Sequence, residues 1–139
     1  MTLNRALNKF FILLFCVSIS LDSAIAENAV SEQNQPTHVL QRMILPGTHY
    51  EVGMGLGVMA PNTMKNRRIQ SGPEMVYVLQ GELILMLEGQ PEKVVKKGQS
   101  FQIPAGALHE TKAGRRGAKF LATWVVEQGK RNQFVVPVK

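Results

Sequence analysis

At 139 residues the chain is long enough for one domain and too short for two ordinary ones. It carries 16 Lys and Arg against 10 Asp and Glu, a formal net charge of +6. The positive charges fall in short scattered pairs, Arg67-Arg68, Lys96-Lys97 and Arg115-Arg116, without interleaved aromatics. That pattern reads as a solvated surface and speaks against a nucleic-acid partner.

The first 26 residues are set apart from the fold. Arg5 and Lys9 make a basic start, Phe10 to Leu21 is an apolar run, and Ala24-Ile25-Ala26 fits a small-x-small cleavage site. This order is that of a signal peptide, with Glu27 as the first mature residue. The apolar run is too short to span a bilayer comfortably, so no stable membrane insertion is expected after cleavage. A lipoprotein reading of Cys16 is disfavoured by bulky Phe15 before it and by its place inside the apolar run. The expected destination is the periplasm or the cell exterior. Without Arg5, Lys9 and Asp22, 14 basic and 9 acidic residues remain. Cys16 is the sole cysteine, so the mature part has neither a disulfide nor a thiol nucleophile, and its stability must come from a packed core.

Residues 27–37 are polar and aperiodic, a flexible lead-in to a domain over 38–139. Val39 to Leu45 suits a first strand, stopped by Pro46-Gly47. In His49 to Met59, Tyr50, Val52, Met54, Leu56 and Val58 alternate with His49, Glu51, Gly53, Gly55 and Gly57. Period two predicts a strand, and the glycines predict a face pressed close to other groups or sharply curved. Met75 to Leu79 and Leu83 to Leu87 are separate strand candidates around Gly81, and Lys93 to Val95 and Ser100 to Ile103 flank Gly98. Leu108 to Thr111, a basic turn over Gly114 to Gly117, Lys119 to Val126 and Phe134 to Val138 complete the series. Met54, Met59, Met75 and Met86 are expected to fill a pliable core. No segment has a capped amphipathic helical period. Many short strands between Gly and Pro turns predict an all-β sandwich or barrel.

Three polar features interrupt the apolar strands. In an extended segment Arg68 and Gln70 share one face, with Arg67 and Ile69 on the other. Glu74 opens an apolar strand and shares a face with Val76 and Val78, and His109 follows the turn Pro104-Ala105-Gly106. Taken singly, each reads as a solvated or hydrogen-bonded surface residue. His38 and His49 lack ligand-like partners at short spacing and read as structural. No phosphate-cradling glycine loop, nucleophile with a positioned base, redox motif or glycosidase-like carboxylate pair is present.

From Asn62 to Ala113 the chain resembles the cupins, small exported cupin-domain proteins above all. The family's first motif sets a glycine, His-x-His, a glutamate and a second glycine in register. Here Asn62, Arg68-Ile69-Gln70, Glu74 and Gly81 stand at those positions, in part within GPEMVYVLQGEL. Asn62 tolerates the left-handed geometry that the first glycine would supply. The second motif sets a glycine, Pro-x-Gly, a histidine and an asparagine; Gly98, Pro104, Gly106 and His109 match, in GQSFQIPAGALHE, and Ala113 replaces the last. The resemblance implies a single-domain, cupin-type β-barrel, jelly-roll-like, of two packed antiparallel sheets, commonly dimeric.

In that family the motif residues hold one divalent transition metal: iron, manganese, nickel or zinc. The corresponding positions here are Arg68, Gln70, Glu74 and His109. A guanidinium offers only donors and stays charged, so Arg68 cannot ligate a cation. Three readings stay open. Arg68 pairs internally with Glu74 in the metal's place; or Arg68 clamps an organic anion, aided by Gln70 and His109; or Gln70, Glu74 and His109 hold a residual metal. The first expectation is therefore a small-molecule-binding protein without a resident cofactor, an anion among its candidate ligands and catalysis disfavoured. The alternatives are a metal-dependent enzyme of dioxygenase or isomerase type and a structural or interaction module. A homodimer is expected from the resemblance alone.

Overall fold

Short apolar runs with period two, cut by Gly and Pro, leave a chain little choice but to pair strand against strand. The computed structural model describes residues 37–137, and there every regular element is a strand. The signal-peptide segment and most of the polar lead-in lie outside the described residues. The strands are β1 (His38–Ile44), β2 (Tyr50–Met59), β3 (Met64–Gln70), β4 (Glu74–Leu87), β5 (Lys93–Lys96), β6 (Ser100–Ile103), β7 (Leu108–Glu127) and β8 (Gln133–Val135).

The separate strands expected around Gly81 are one strand, β4, and those around Gly114 to Gly117 are one strand, β7. The two pair antiparallel from Glu74↔Trp124 to Leu87↔His109, with irregularities beside Gly81. The N-terminal half of β7 and the C-terminal half of β4 belong to one layer, with β8, β3 and β5. Their other halves belong to a second layer, with β1, β2 and β6. The two expected layers are thus parts of one curled antiparallel sheet, whose longest strands turn the corner between them. Gly81 makes that corner possible: its φ is +69°, and a Cβ there would lie 1.9 Å from the Gly117 carbonyl oxygen.

The core fills the space between the layers, with Val76, Val78, Leu83, Phe101, Phe120 and Trp124 among its buried members. The glycine face of β2 turns inward to meet it. Gly53 is directly across from Trp124 and Gly57 from Phe120, and a Cβ at either glycine would enter the opposing ring. The absent side chains make room for two aromatic rings, whose burial contributes roughly 1.5–3 kcal/mol each. Of the four methionines expected in the core, Met59 is buried, but Met75 is 62% exposed. Met75 alternates with Glu74 and Val76 on β4, so the pleat that buries them turns it outward.

Candidate functional site

Strand β3 supplies the site's cations. A strictly alternating strand would send Lys65 and Arg67 to one side and Arg68 and Gln70 to the other. The pairing with β7 slips between Lys65↔Thr111 and Arg68↔His109. That irregularity resets the phase, so Lys65 leans inward while Arg68 and Gln70, as expected, are buried. Arg67 faces out and pairs with Glu88 at 2.8 Å. His38 and His49 are exposed and take no part in the site.

Arg68 is 7% exposed. Its Nη2 donates to Thr111 Oγ1 at 2.9 Å, its Nη1 donates to the Asn66 carbonyl at 3.1 Å, and its buried Nε has no partner. Burial pulls its pKa down, opposed by Glu74 and Glu110, yet a guanidinium remains charged. The expected contact ion pair with Glu74 is not formed. Among the described residues, side-chain ion pairs join only Arg42 to Glu51 and Arg67 to Glu88. The Glu74 carboxylate instead accepts a hydrogen bond from Gln70 Nε2, and Arg68 acts on it through space. Burial raises the Glu74 pKa, against the opposing influence of Arg68, Lys65 and Gln70.

The turn before Glu74 fixes its aim. The Val125 amide donates to the Pro73 carbonyl at 3.1 Å, and a Cβ on Gly72 would stand 1.8 Å from the Val125 carbonyl oxygen. The chain is thereby pressed onto β7, and Glu74, Val76 and Val78 all enter β4 facing inward. The turn after Ile103 is locked to β3 in a similar way. Gly106 N donates to the Gln70 carbonyl at 2.7 Å, and Gln70 N to the Ala107 carbonyl at 3.2 Å.

His109 is buried directly across from Arg68. Its Nδ1 lies 3.3 Å from the Ala107 carbonyl, which can only accept, so the ring proton is assigned to Nδ1. Nε2 is then a bare acceptor, buried and unpartnered. Burial, and then the Arg68 charge, lower its pKa to about 4, against the Ala107 hydrogen bond. The imidazole is neutral at ordinary pH.

All four sequence-derived candidates are buried, but they do not surround one space equally. A cavity of about 20 Å³, partly open to solvent, has Lys65, Arg68, Glu74 and Thr111 among its polar lining, with Thr37, Asn132 and Gln133, and the Phe120 and Trp124 rings among its apolar walls. Gln70 and His109 are not among its lining residues. Lys65 and Thr111 were missed by the sequence reading. Thr111 shares the inward face of His109, a signal available in the alternation; Lys65 comes inward through the β3 irregularity, which no residue type announces. The Lys65 ammonium donates to Thr37 Oγ1 at 3.1 Å and sits 5.2 Å from the centre of the Phe120 ring. Burial, and then Arg68, lower its pKa to about 8, with Glu74 opposing.

The donor set does not fit a divalent metal. Glu74 is engaged by Gln70, the Arg68 guanidinium lies beside His109 and repels a cation, and the bare acceptors Gln70 Oε1 and His109 Nε2 are both neutral. Among the described residues no three His, Cys, Asp or Glu are grouped to hold a metal ion.

The family model for the cupin domain matches residues 55–126. No curated protein matches the chain. Among solved structures, the lyase DddQ from Ruegeria pomeroyi superposes with a TM-score of 0.53 at 18% identity, over 63% of this chain and 43% of that one. Oxalate decarboxylase from Bacillus subtilis gives 0.55 at 15% identity, over 76% of this chain and 34% of that one. The EutQ protein of Clostridium difficile gives 0.52 at 21% identity, over 66% and 62%. The chain thus spans less than two thirds of each, and at these identities the likeness is one of fold.

Proposed function

This chain belongs to the cupin domain family, and from that premise we propose that it binds a small anion inside the barrel, without a tightly held metal ion and without catalysis. The observation that carries this reading is the state of Arg68. Among the described residues the buried Arg68 guanidinium is bonded only to neutral oxygens, with Nε unpaired and no contact counter-ion. Burying such a charge is costly unless something pairs with it, and an anion entering the cavity would do so. The cavity's ionisable lining, two cations and one carboxylate, favours the same sign of ligand. Calorimetric titration of the wild type and of Arg68→Met with small anions tests it. Saturable binding lost in the variant is expected; binding unchanged by the substitution contradicts it.

Export to the periplasm or beyond is part of the proposal and rests on the pattern of residues 1–26. So is a homodimer formed through the outer face of the second layer. There Val52, Met54 and Leu56 of β2 lie across from Val125, Thr123 and Leu121 of β7, and Met75 and Tyr77 of β4 lie beside the last two. The block is mostly apolar, with Lys93 beside Met75, Tyr77, Leu121 and Thr123. With strands about 4.8 Å apart and a rise of about 3.3 Å per residue, three strands by five residues make a face of about 240 Å², so two stacked copies of this block would bury on the order of 500 Å². A stable interface of about 1,000 Å² would therefore also draw in the neighbouring strands β1 and β6.

A further inference from the structure

We infer that Lys65 is the second half of this anion site and that the ligand is a monovalent anion of halide or small planar oxyanion size, such as chloride, nitrate or formate, held between the Lys65 ammonium and the Arg68 guanidinium. The inference rests on the anion-binding reading of the cavity and adds a residue and a ligand class to it.

Lys65 and Arg68 both line the same cavity. An ammonium has three N–H donors, and Lys65 spends one on Thr37 Oγ1. Arg68 spends its bonds from Nη1 and Nη2 on Asn66 and Thr111, which leaves the buried Nε–H unused. Nε itself touches no water-sized space, so what Arg68 brings to an ion in the cavity is its charge and the remaining Nη2 hydrogen. Neither cation touches a carboxylate among the described residues, and the single lining carboxylate, Glu74, is taken by Gln70. Both cations are brought to the same side by the register slip in β3.

Size then selects the ligand. About 20 Å³ is the scale that admits one or two waters, given that one water needs roughly 10–15 Å³. A halide, or a planar anion whose outer atoms take the places of those waters, is of that order; a sugar acid is not. The Phe120 and Trp124 rings bound the space on its apolar side, so the ion must shed its water there. A singly charged, weakly hydrated anion does so at less cost than a multiply charged one.

The test titrates the full protein, exchanged into gluconate buffer at constant ionic strength, with sodium chloride, nitrate and formate, followed by calorimetry and thermal unfolding. Wild type is expected to bind at least one of the three saturably and to melt higher as it fills, with no such response to added gluconate. Lys65→Met keeps the apolar stem over Phe120 and is expected to weaken that binding at least about tenfold; Lys65→Gln serves as a second variant should the first fail to fold. Saturable binding of gluconate with no response to the small anions would overturn the size class while leaving an anion site in place. Full binding in the folded Lys65 variant, lost in Arg68→Met, would overturn the role of Lys65 alone. Absence of any saturable anion binding would remove the underlying reading and this inference with it.

Discussion

Arg68 separates two accounts of the site by the size of a stability change. If it formed a contact ion pair with a buried carboxylate, removing it would leave that charge uncompensated, at about 3–5 kcal/mol. Its observed bonds are to Thr111 Oγ1 and the Asn66 carbonyl. Arg68→Met removes these two charge-assisted hydrogen bonds and also a buried charge without a contact counter-ion, so the effects offset and the free energy of unfolding is expected to fall by less than about 3 kcal/mol, a value that urea denaturation resolves. His109 makes a pH-dependent contribution of definite sign. Its folded pKa, about 4, lies below the ordinary value of 6.5, so between these limits the unfolded chain binds the extra proton. Stability from this group is complete above about pH 6.5 and is lost as pH falls toward 4, by on the order of 2 kcal/mol. Glu74, with its pKa raised, contributes in the opposite sense, losing stability as pH rises. The comparison must therefore be between wild type and His109→Gln, with the variant showing the weaker acid dependence of its urea midpoint. The inward facing of Arg68 and Gln70 was legible from alternation in an extended segment. Lys65 was not, because the phase of β3 changes between Lys65 and Arg68 and a phase change leaves no mark on the residue types.

At the scale of elements, two strands carry the architecture. The hydrophobic runs of β4 and β7 were legible as strands, but their continuity across Gly81 and Gly114–Gly117 was not. Glycines commonly end strands, and here they bend strands whose pairing breaks over residues 114–117 and resumes at Leu83↔Ala113. Gly81→Ala places a Cβ at φ +69° and 1.9 Å from a carbonyl oxygen. It is expected to cost at least about 2 kcal/mol, since backbone strain and the clash act together. Gly57→Ala meets the Phe120 ring at 2.1 Å instead. A side chain can move, so its expected cost is lower, about 1–3 kcal/mol. Paired urea denaturation of the two variants checks both the costs and their order. The sequence did signal a close approach along β2, through glycine at alternate positions; which rings filled the space depended on the β2–β7 register.

Over the described residues the molecule is one curled antiparallel sheet around a largely apolar interior, in which one small cavity is lined by two cations and one carboxylate. Its outer face suggests how it assembles. Sedimentation velocity is expected to give a dimer at micromolar concentration, converted to monomer by Met75→Lys with Tyr77→Lys; a wild-type monomer at every concentration removes the proposed interface. The fold was legible because two separated motifs kept Glu74 and Gly81, and Gly98, Pro104, Gly106 and His109, in register. The altered metal positions were legible too, Arg68 and Glu74 among them, but that Lys65 and the Phe120 and Trp124 rings line the same cavity was not, since cavity walls depend on pairing across strands far apart in sequence. The central claim is that Arg68 and its neighbours make this barrel an anion site in place of a metal site. Elemental analysis of the purified protein, prepared without a metal-binding tag, tests it most directly. Transition metal far below one ion per chain is the predicted result; about one tightly held ion per chain, lost in His109→Ala, would contradict it.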